Sequence, residues 1–407
     1  MTKFLKLMQS LWGLSRILGH ELSLAIICHI RGNRVAAADH LRFAILTLHD
    51  DLSTLAGQLK STSNLPSANL VDRILIVKLD RVGDMVNTTP VFDFLLEQYP
   101  NAKLDIVGHP AVLTLLDGDP RISNQFSYKS ALYHPGPLSP PGLSQLRLIQ
   151  KLLKTHYPLV VYLRGSFPFL SLAIRSHFVA TKFVEGEPVI RRYLKPLGAC
   201  LRPDDPLPVP SLRVSRDSRE KLISKYPNIE QTPHIVIHGV AAGEGRQWPL
   251  ERFARIADEI HLRSGAKILF IATPPEKEKL DQIQASSKCV HLFETSLSLP
   301  EAVAAIALAH VFIGNDSGLA HIAAAVRTRE VVIWGAANLA MARPQAAAGH
   351  CSVLYHEVDC RRGCPEIRCN AQEHLKCLRT IDEASVVSEA LNFLTAASKE
   401  RLRLYPS

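Results

Sequence analysis

The stretch "RILIVKLDRVGDMVNTTPVFDFLLEQYPNAKLDIVGHP", residues 73–110, contains an apolar run of strand length, a loop, a helical segment and a second strand. A short continuous apolar run bounded by turn residues is typical of a strand that is buried on both faces. Strand, helix and strand in this order form a βαβ unit, in which the two strands lie parallel in one sheet. The stretch therefore predicts an α/β protein.

The same alternation of elements continues towards the carboxyl terminus. Further strand patterns lie at 158–165, 234–239, 267–273, 309–315 and 330–335, with helical patterns between the later ones. The proline-rich segment "RPDDPLPVPS" at 202–211 interrupts the alternation and indicates a linker. We expect a doubly wound parallel sheet on each side of it, with a cleft between the two.

This pattern divides the chain into five parts. We expect a helical extension over 1–70, a Rossmann-like domain over 71–205, a linker with a connecting helix over 206–232, a second Rossmann-like domain over 233–385 and a last helix over 386–407. Two main domains agree with a length of 407 residues, because a single core rarely serves more than roughly 250–300.

Composition and charge narrow the class of ligand. Hydrophobic residues make up 47% of the chain and charged residues 21%, the balance of a globular protein. Lys and Arg outnumber Asp and Glu by 47 to 38, a formal charge of +9 that favours acidic ligands. Nucleotides, phosphorylated sugars, nucleic acid and anionic lipid all fit this charge, which alone does not choose among them. On the motifs described below, we expect no nucleic-acid partner.

The first part of the chain has the spacing of an amphipathic helix. Its apolar stripe is formed by Phe4, Leu7, Leu11, Leu14 and Leu18, with Lys3, Lys6 and Arg16 between them. Such a helix packs on the protein's own body or lies on an anionic membrane surface, and the pattern leaves both open. The chain lacks an apolar run of the roughly 18 residues that cross a bilayer, and its start lacks a secretory cleavage site. We therefore expect a cytoplasmic protein, with peripheral contact to the inner face of the membrane as one alternative.

Three loops carry the candidate site residues. In "FIGNDSGLAHIAAA", residues 312–325, a buried strand turns directly into a helix, whose uncovered first amide groups form an anion site. In the first βαβ unit, Gly83 and Asp84 follow the strand in a loop before the next helix. In "HGVAAGEGRQWPLERF", residues 238–253, Arg246 precedes a helix that starts near Pro249. A carboxylate can accept a proton and a guanidinium can bind phosphate, so the three loops together suit chemistry on a phosphorylated ligand.

These loops resemble a known family. "ILIVKLDRVGDMVNTTPVFDFLLEQYP", "GRQWPLERFARIADEI" and "GNDSGLAHIAAA" are similar, in order and separation, to the signature segments of glycosyltransferase family 9, the lipopolysaccharide heptosyltransferases and their relatives. The resemblance runs from about residue 73 to residue 380. It implies the GT-B fold, two facing Rossmann-like domains, with the nucleotide-sugar donor held mainly by the C-terminal half and the acceptor by the N-terminal half.

The resemblance also implies roles for individual residues. Asp84 matches the catalytic base, although a helix-capping role is open and compatible, and nearby Arg81 would contact an anionic acceptor. Arg246 stands where the family usually has Lys, and Ala241 and Ala242 stand where hydroxyl residues are common. The remaining donor contacts would be Glu276 to the nucleotide ribose, Asp316 to sugar or ribose hydroxyls, and Ser317, Gly318 and His321 around the diphosphate.

Four cysteines cluster near the carboxyl terminus in "CRRGCPEIRCNAQEHLKC", residues 360–377. The thiols of Cys360, Cys364, Cys369 and Cys377 suit a structural zinc site, reduced thiols or disulfides, and their spacing is not that of a standard zinc motif. Many members of the resembled family carry a similar cluster, which supports a structural role. Catalysis itself is expected to require no cofactor.

The sequence thus favours an inverting glycosyltransferase that moves a heptose or similar sugar from a nucleotide-diphosphate sugar, such as ADP-heptose, to a lipid-linked glycan acceptor. One alternative is a non-catalytic sugar- or lipid-binding relative that acts as a membrane or partner adaptor. A second alternative, a dinucleotide-dependent oxidoreductase, is disfavoured because neither first strand is followed by G-x-G-x-x-G.

Overall fold

Two parallel sheets form the framework of the chain in a computed structural model. The structure describes residues 65–128, 143–164, 177–181, 186–361, 364 and 368–404. The predicted amphipathic helix at the start of the chain lies outside the described residues.

The N-terminal sheet has its first strand near the centre. Its strands are β1 (Arg73–Lys78), β2 (Lys103–Gly108), β3 (Ile122–Ser127), β4 (Leu159–Arg164) and β5 (His177–Ala180). Their spatial order is β3-β2-β1-β4-β5, and all neighbouring pairs are parallel. Residues 74–77 of β1 are fully buried, as a central strand covered on both faces requires.

The C-terminal sheet repeats this arrangement. Its strands are β6 (His234–His238), β7 (Lys267–Ile271), β8 (Leu292–Glu294), β9 (Val311–Asn315), β10 (Arg329–Trp334) and β11 (Cys351–Tyr355). Their order is β11-β10-β9-β6-β7-β8, again with parallel neighbours. Both sheets have the strand order of a Rossmann fold, which confirms the predicted pair of doubly wound domains.

Helices connect and cover the strands. In chain order they are α1 (Val82–Val86), α2 (Thr89–Gln98), α3 (Pro110–Leu113), α4 (Leu143–Lys154), α5 (Val189–Leu194), α6 (Arg216–Lys225), α7 (Leu250–Ser264), α8 (Lys277–Ser286), α9 (Leu299–Leu308), α10 (Gly318–Ala325), α11 (Leu339–Ala342), α12 (Lys376–Arg379) and α13 (Glu383–Leu404). Within the described part of the chain, no helix combines the length and hydrophobicity that crossing a membrane requires.

Two features differ from the expectation. The edge strands β3, β5, β8 and β11 were not predicted. β3, for example, is polar and exposed at residues 123–125 and lacks the apolar run of a central strand. Gly83 and Asp84 were expected in a loop, but they lie in the short helix α1. Val82, Met85 and Val86 supply this helix with an apolar face at helical spacing, and Met85 and Val86 are fully buried.

The two halves are in direct contact. Helix α1 of the N-terminal half packs against α10 of the C-terminal half. The proline-rich segment is tied to both halves, because the Ser211 amide donates to the Thr89 hydroxyl at 3.0 Å and the Leu212 amide donates to the Ala325 carbonyl at 3.3 Å. The linker therefore braces the interface between the sheets.

A buried acid lies at the start of β10, at the opposite end of the sheet from the turn between β9 and α10. Glu330 is fully buried, and among the described residues its carboxylate has no nitrogen or oxygen donor; only the Cys351 thiol is in contact with it. Cys351 is its neighbour on β11. Burial raises the pKa of Glu330 well above its ordinary value, so the folded protein binds the proton more tightly than the unfolded chain does.

The stabilising effect of this proton is present at acid pH and is lost as the pH rises above the unfolded value of about 4.3. Glu330→Gln keeps a neutral side chain of similar shape at every pH. We expect it to raise the melting temperature by about 2–4 °C at pH 8, corresponding to about 1 kcal/mol, and to have little effect at pH 4. Melting curves at the two pH values test this, and an equal gain at both would contradict it.

Candidate active site

The candidate site lies where the two sheets meet at the carboxyl ends of their central strands. In this strand order, neighbouring connections leave in opposite directions at β1/β4 and at β6/β9, which opens a crevice at each sheet. The segments that follow β1, β6 and β9 carry Asp84, Arg246 and Ser317 respectively. The fold thus brings segments that are distant in sequence to one place.

Asp84 occupies the first turn of α1 and is half-buried. The Tyr193 hydroxyl lies 3.4 Å from its Oδ1 atom, and the Thr88 hydroxyl donates to its backbone carbonyl at 2.9 Å. Arg81, which is exposed, is the residue that precedes the helix, so Asp84 does not fill the N-cap position. A carboxylate in the first turn still benefits from the helix dipole.

A buried cation lies behind Asp84. Lys78, the last residue of β1, is fully buried and forms an ion pair with Asp80. Its Nζ atom also donates to the Tyr193 hydroxyl at 2.5 Å. Burial opposes the charge on Lys78, but Asp80 and the other nearby anionic groups raise its pKa above the ordinary value, so Lys78 is charged.

The start of α10 has the form of the predicted anion site. Ser317 precedes the helix, and its Oγ atom lies 3.4 Å from Nδ1 of His238 at the end of β6. The Ala320 amide donates to the Ser317 carbonyl at 3.2 Å. The amides of Gly318 and Leu319 precede any acceptor that the helix itself could supply. Val82, from the N-terminal half, packs closely against Gly318. A Cβ atom on Gly318 would lie only 2.9 Å from Cβ of Val82.

His321 is buried at the contact between α1 and α10. A Cβ atom on Gly83 would lie 2.7 Å from its Cδ2 atom. Burial, with a smaller contribution from Arg246, lowers the pKa of His321 to about 4, so the imidazole is neutral near pH 7. Its Nδ1 atom has no hydrogen-bond partner within the described residues.

Arg246 and Asp316 form an ion pair, with 3.4 Å between Nε and Oδ2. The Asp316 side chain is only 5% exposed, whereas that of Arg246 is 30% exposed. Because a guanidinium has five N–H groups in a fixed fork, it can hold a carboxylate and a phosphate together. The predicted phosphate-binding and hydroxyl-binding residues are therefore direct neighbours.

Glu276 is linked to the same end of the sheet through His238. Its Oε2 atom accepts hydrogen bonds from the Thr273 amide at 2.8 Å and the Thr273 hydroxyl at 2.7 Å, and lies 3.9 Å from His238 Nε2. Burial opposes ionisation of Glu276, but the nearby His238 and the hydrogen bonds from Thr273 prevail and lower its pKa to about 2. His238 thus bridges Glu276 and Ser317.

Hydrogen bonds from neighbouring segments fix the loop that carries Arg246. The Ala241 amide donates to the Gln247 side chain at 2.9 Å, and the Ala336 amide donates to the Gly245 carbonyl at 2.8 Å. The Glu244 carboxylate accepts from the Cys369 amide at 2.7 Å and lies 2.9 Å from His374 Nε2. The cysteine-rich segment therefore supports the loop between β6 and α7.

The cysteine-rich segment buries Cys377. Burial raises the pKa of its thiol, and Arg361 acts in the opposite sense. The described cysteines are all free thiols. Within the described part of the chain, no group of three or more Cys, His, Asp or Glu side chains is placed to hold one metal ion. Structural zinc stays a prediction, and no step of the chemistry depends on it.

A cavity of about 710 Å³ opens beside the same loop. It lies between the start of α7, Lys279 and the segment around Leu375, and Glu244 is part of its wall. Asp84, Arg246, Ser317 and His321 are not among its lining residues. The candidate catalytic and donor-binding residues therefore lie outside this cavity, near the contact between the two halves.

Sequence reasoning missed Lys78, Tyr193 and His238. Lys78 offered a signal, because a charged residue inside an apolar strand run is buried only at a cost that a partner must offset. His238 lies near the end of a predicted strand and is the first residue of the candidate loop at 238–253. Tyr193 lies 115 residues from Lys78 in the sequence, so no local sequence pattern predicts their contact.

Two Rossmann-like domains, with a candidate base on one side of their contact and a candidate anion site on the other, are the arrangement of the GT-B fold. The sequence matches glycosyltransferase family 9 (heptosyltransferase) over residues 164–367. The chain belongs to this family and is a glycosyltransferase.

Individual relatives agree with this assignment. The chain is 25% identical to lipooligosaccharide heptosyltransferase 2 of Haemophilus ducreyi over 291 residues, which cover 62% of this chain and 80% of the relative. The crystal structure of the family 9 glycosyl transferase from Veillonella parvula superposes with a TM-score of 0.69 at 18% identity, covering 82% of this chain and all of that one. The Escherichia coli ADP-heptose LPS heptosyltransferase II superposes with a TM-score of 0.64 at 18% identity, covering 80% and 99% of the two chains.

The contact between α1 and α10 gives a direct test of the geometry. We expect Gly83→Ala to destabilise the protein by about 1–3 kcal/mol, because its methyl group would overlap the His321 ring in a close-packed interface. His321→Ala in the same chain removes the obstructing ring and should restore part of that loss. Thermal unfolding of the single and double variants measures both effects, and a double variant less stable than Gly83→Ala alone would contradict the predicted contact.

Proposed function

We propose that the protein transfers a heptose or similar sugar from a nucleotide-diphosphate sugar to a lipopolysaccharide-core acceptor, with inversion at the anomeric carbon. The observation that carries the proposal is the packing of α1, which carries Asp84, against α10, whose first turn is the candidate anion site. The names of the relatives, heptosyltransferases of lipooligosaccharide or lipopolysaccharide, support this donor and acceptor class. ADP-heptose is accordingly the first donor to test.

In this mechanism Asp84 accepts the proton of the acceptor hydroxyl. The acceptor oxygen forms a bond to the anomeric carbon from the face opposite the leaving group, and the bond between that carbon and the phosphate oxygen breaks. The nucleoside diphosphate leaves with the electron pair. Arg246 and the first amide groups of α10 stabilise the negative charge that develops on it.

The other predicted residues bind the ligands in this proposal. Glu276 and Asp316 accept hydrogen bonds from ribose and sugar hydroxyls, and His321, which is neutral near pH 7, lies beside the diphosphate without adding charge. Arg81 is exposed at the start of α1 and is assigned to an anionic group of the acceptor. A lipid-linked acceptor would place the enzyme at the inner face of the cytoplasmic membrane, with residues 1–70 as the candidate contact to anionic lipid.

Replacement of the base gives the first test. We expect Asp84→Asn to lower turnover by roughly 10² or more at unchanged donor affinity, because the change removes the proton acceptor but keeps the shape. Release of ADP from ADP-heptose, with truncated lipopolysaccharide as acceptor, measures turnover, and calorimetry measures donor binding. Asp93→Asn, which alters an exposed carboxylate on α2, is the matched control and should remain active. Full turnover in Asp84→Asn would rule out this residue as the base.

Replacement of the cation tests diphosphate binding. We expect Arg246→Ala to weaken binding of ADP by roughly 10- to 100-fold and to affect adenosine little, because a charge-assisted contact to phosphate is worth about 1.5–3 kcal/mol. Arg255→Ala, at an exposed position of α7, is the matched control.

Arg246 also pairs with Asp316. Removal of the Arg246 side chain would therefore leave the Asp316 carboxylate unpaired with Arg246 and close to the bound phosphates. The double variant Arg246→Ala with Asp316→Asn removes this repulsion. It should still bind ADP more weakly than wild type if Arg246 contacts phosphate directly. Equal losses of ADP and adenosine binding in Arg246→Ala would exclude the phosphate role.

A further inference from the structure

Lys78 and Tyr193 form a buried polar chain that ends at the candidate base. Lys78 is fully buried and Tyr193 is 1% exposed. Lys78 Nζ contacts Asp80 and the Tyr193 hydroxyl, and that hydroxyl lies 3.4 Å from Asp84 Oδ1. Burying a charged amine at the end of a central strand is costly unless its hydrogen bonds are satisfied.

The chemistry of the three groups fixes the direction of the hydrogen bonds. A charged amine can only donate, so the Tyr193 oxygen is the acceptor of the 2.5 Å contact with Lys78. The tyrosine hydroxyl carries one hydrogen, which is then available for Asp84 Oδ1. Burial raises the pKa of Tyr193 to about 12, with Lys78 acting in the opposite sense, so the hydroxyl remains a donor at neutral pH.

We propose that Tyr193 is a positioning residue that orients the Asp84 carboxylate and favours its ionised form, with Lys78 fixing the direction of the hydroxyl. The inference rests on the proposed function, in which Asp84 is the base. A hydrogen bond to the charged form of a carboxylate favours that form. A carboxylate held through Oδ1 also has a defined orientation, which proton transfer from a bound hydroxyl requires.

Other charged and titratable groups surround the chain. Lys78 and Asp80 approach from the N-terminal sheet, and their charges offset each other. His321 contacts Gly83 from the C-terminal half and is close to Arg246. Buried Arg192 on α5 lies 6.0 Å from the centre of the Tyr193 ring. Because Tyr193→Phe leaves all five of these groups in place, its effect isolates the hydroxyl.

The decisive measurement is the pKa of Asp84 itself. Full-length protein labelled with [γ-13C]aspartate is titrated by NMR, and the signal absent from Asp84→Asn is assigned to Asp84. We expect the Asp84 pKa to be higher in Tyr193→Phe than in wild type by about half a pH unit to one pH unit, since a favourable hydrogen bond to the carboxylate is lost. Turnover of ADP-heptose should show an acidic limb shifted upward by the same amount.

Tyr157→Phe is the matched control. Tyr157 is a buried tyrosine of the same domain, and its hydroxyl donates to Asp105 Oδ2 at 2.9 Å. Its replacement removes an equivalent buried hydrogen bond and should leave the Asp84 titration unchanged. An unshifted Asp84 pKa in Tyr193→Phe would overturn the proposal, and so would an equal shift in Tyr157→Phe, which would indicate general loosening of the domain.

The result also separates this inference from the proposed function. If Asp84→Asn retains turnover, Asp84 is not the base, and the proposal for Tyr193 as an aid to catalysis fails with it whatever the titration shows. If Asp84→Asn is inactive and the titration is unshifted in Tyr193→Phe, only the role of Tyr193 fails.

Discussion

The contact between α1 and α10 determines the geometry of the crevice. Gly83 and Gly318 allow it, because a side chain at either position would overlap His321 or Val82. Each helix starts at the carboxyl end of its own sheet, so their contact sets the spacing between the base candidate and the anion site. Close-packed interfaces deform little. The proline-rich segment reinforces this contact from the side, since Ser211 is bonded to α2 and Leu212 to the end of α10.

Pairing of opposite charges keeps the site folded without a ligand. Lys78 is paired with Asp80, and Arg246 with Asp316. Each pair contains an acid that is at most 5% exposed, and leaving such a group alone in the interior would cost several kcal/mol. In the proposed function, a diphosphate at Arg246 would therefore join an existing ion pair and would not meet an isolated cation. Asp316 would then favour ligands whose hydroxyl groups can donate to it.

The sequence predicted the parts of the fold that depend on local pattern. The buried runs of β1, β6, β9 and β10 identified the central strands, and the proline-rich segment separated the two sheets. The polar edge strand β3 escaped notice because an edge strand needs no continuous apolar run. The segments of the candidate site were found because their residues are contiguous. The links between segments, Lys78 to Tyr193 and His238 to Glu276, depend on tertiary contacts over 115 and 38 residues. Periodicity and turn chemistry carry no information at that range.

Ala241 and Ala242 give the β6–α7 loop no side-chain hydroxyl with which to hold a phosphate. The Ala241 amide is already bonded to Gln247, so this end of the loop serves its own conformation. In the proposed function, phosphate recognition would then depend more on Arg246 and on the amides of α10, so the position of Arg246 would be critical. That position is maintained by the Ala336 amide and, through Glu244, by Cys369 and His374. The cysteine-rich segment thus has a structural task next to the site that follows from its hydrogen bonds alone, whether or not its thiols hold a metal.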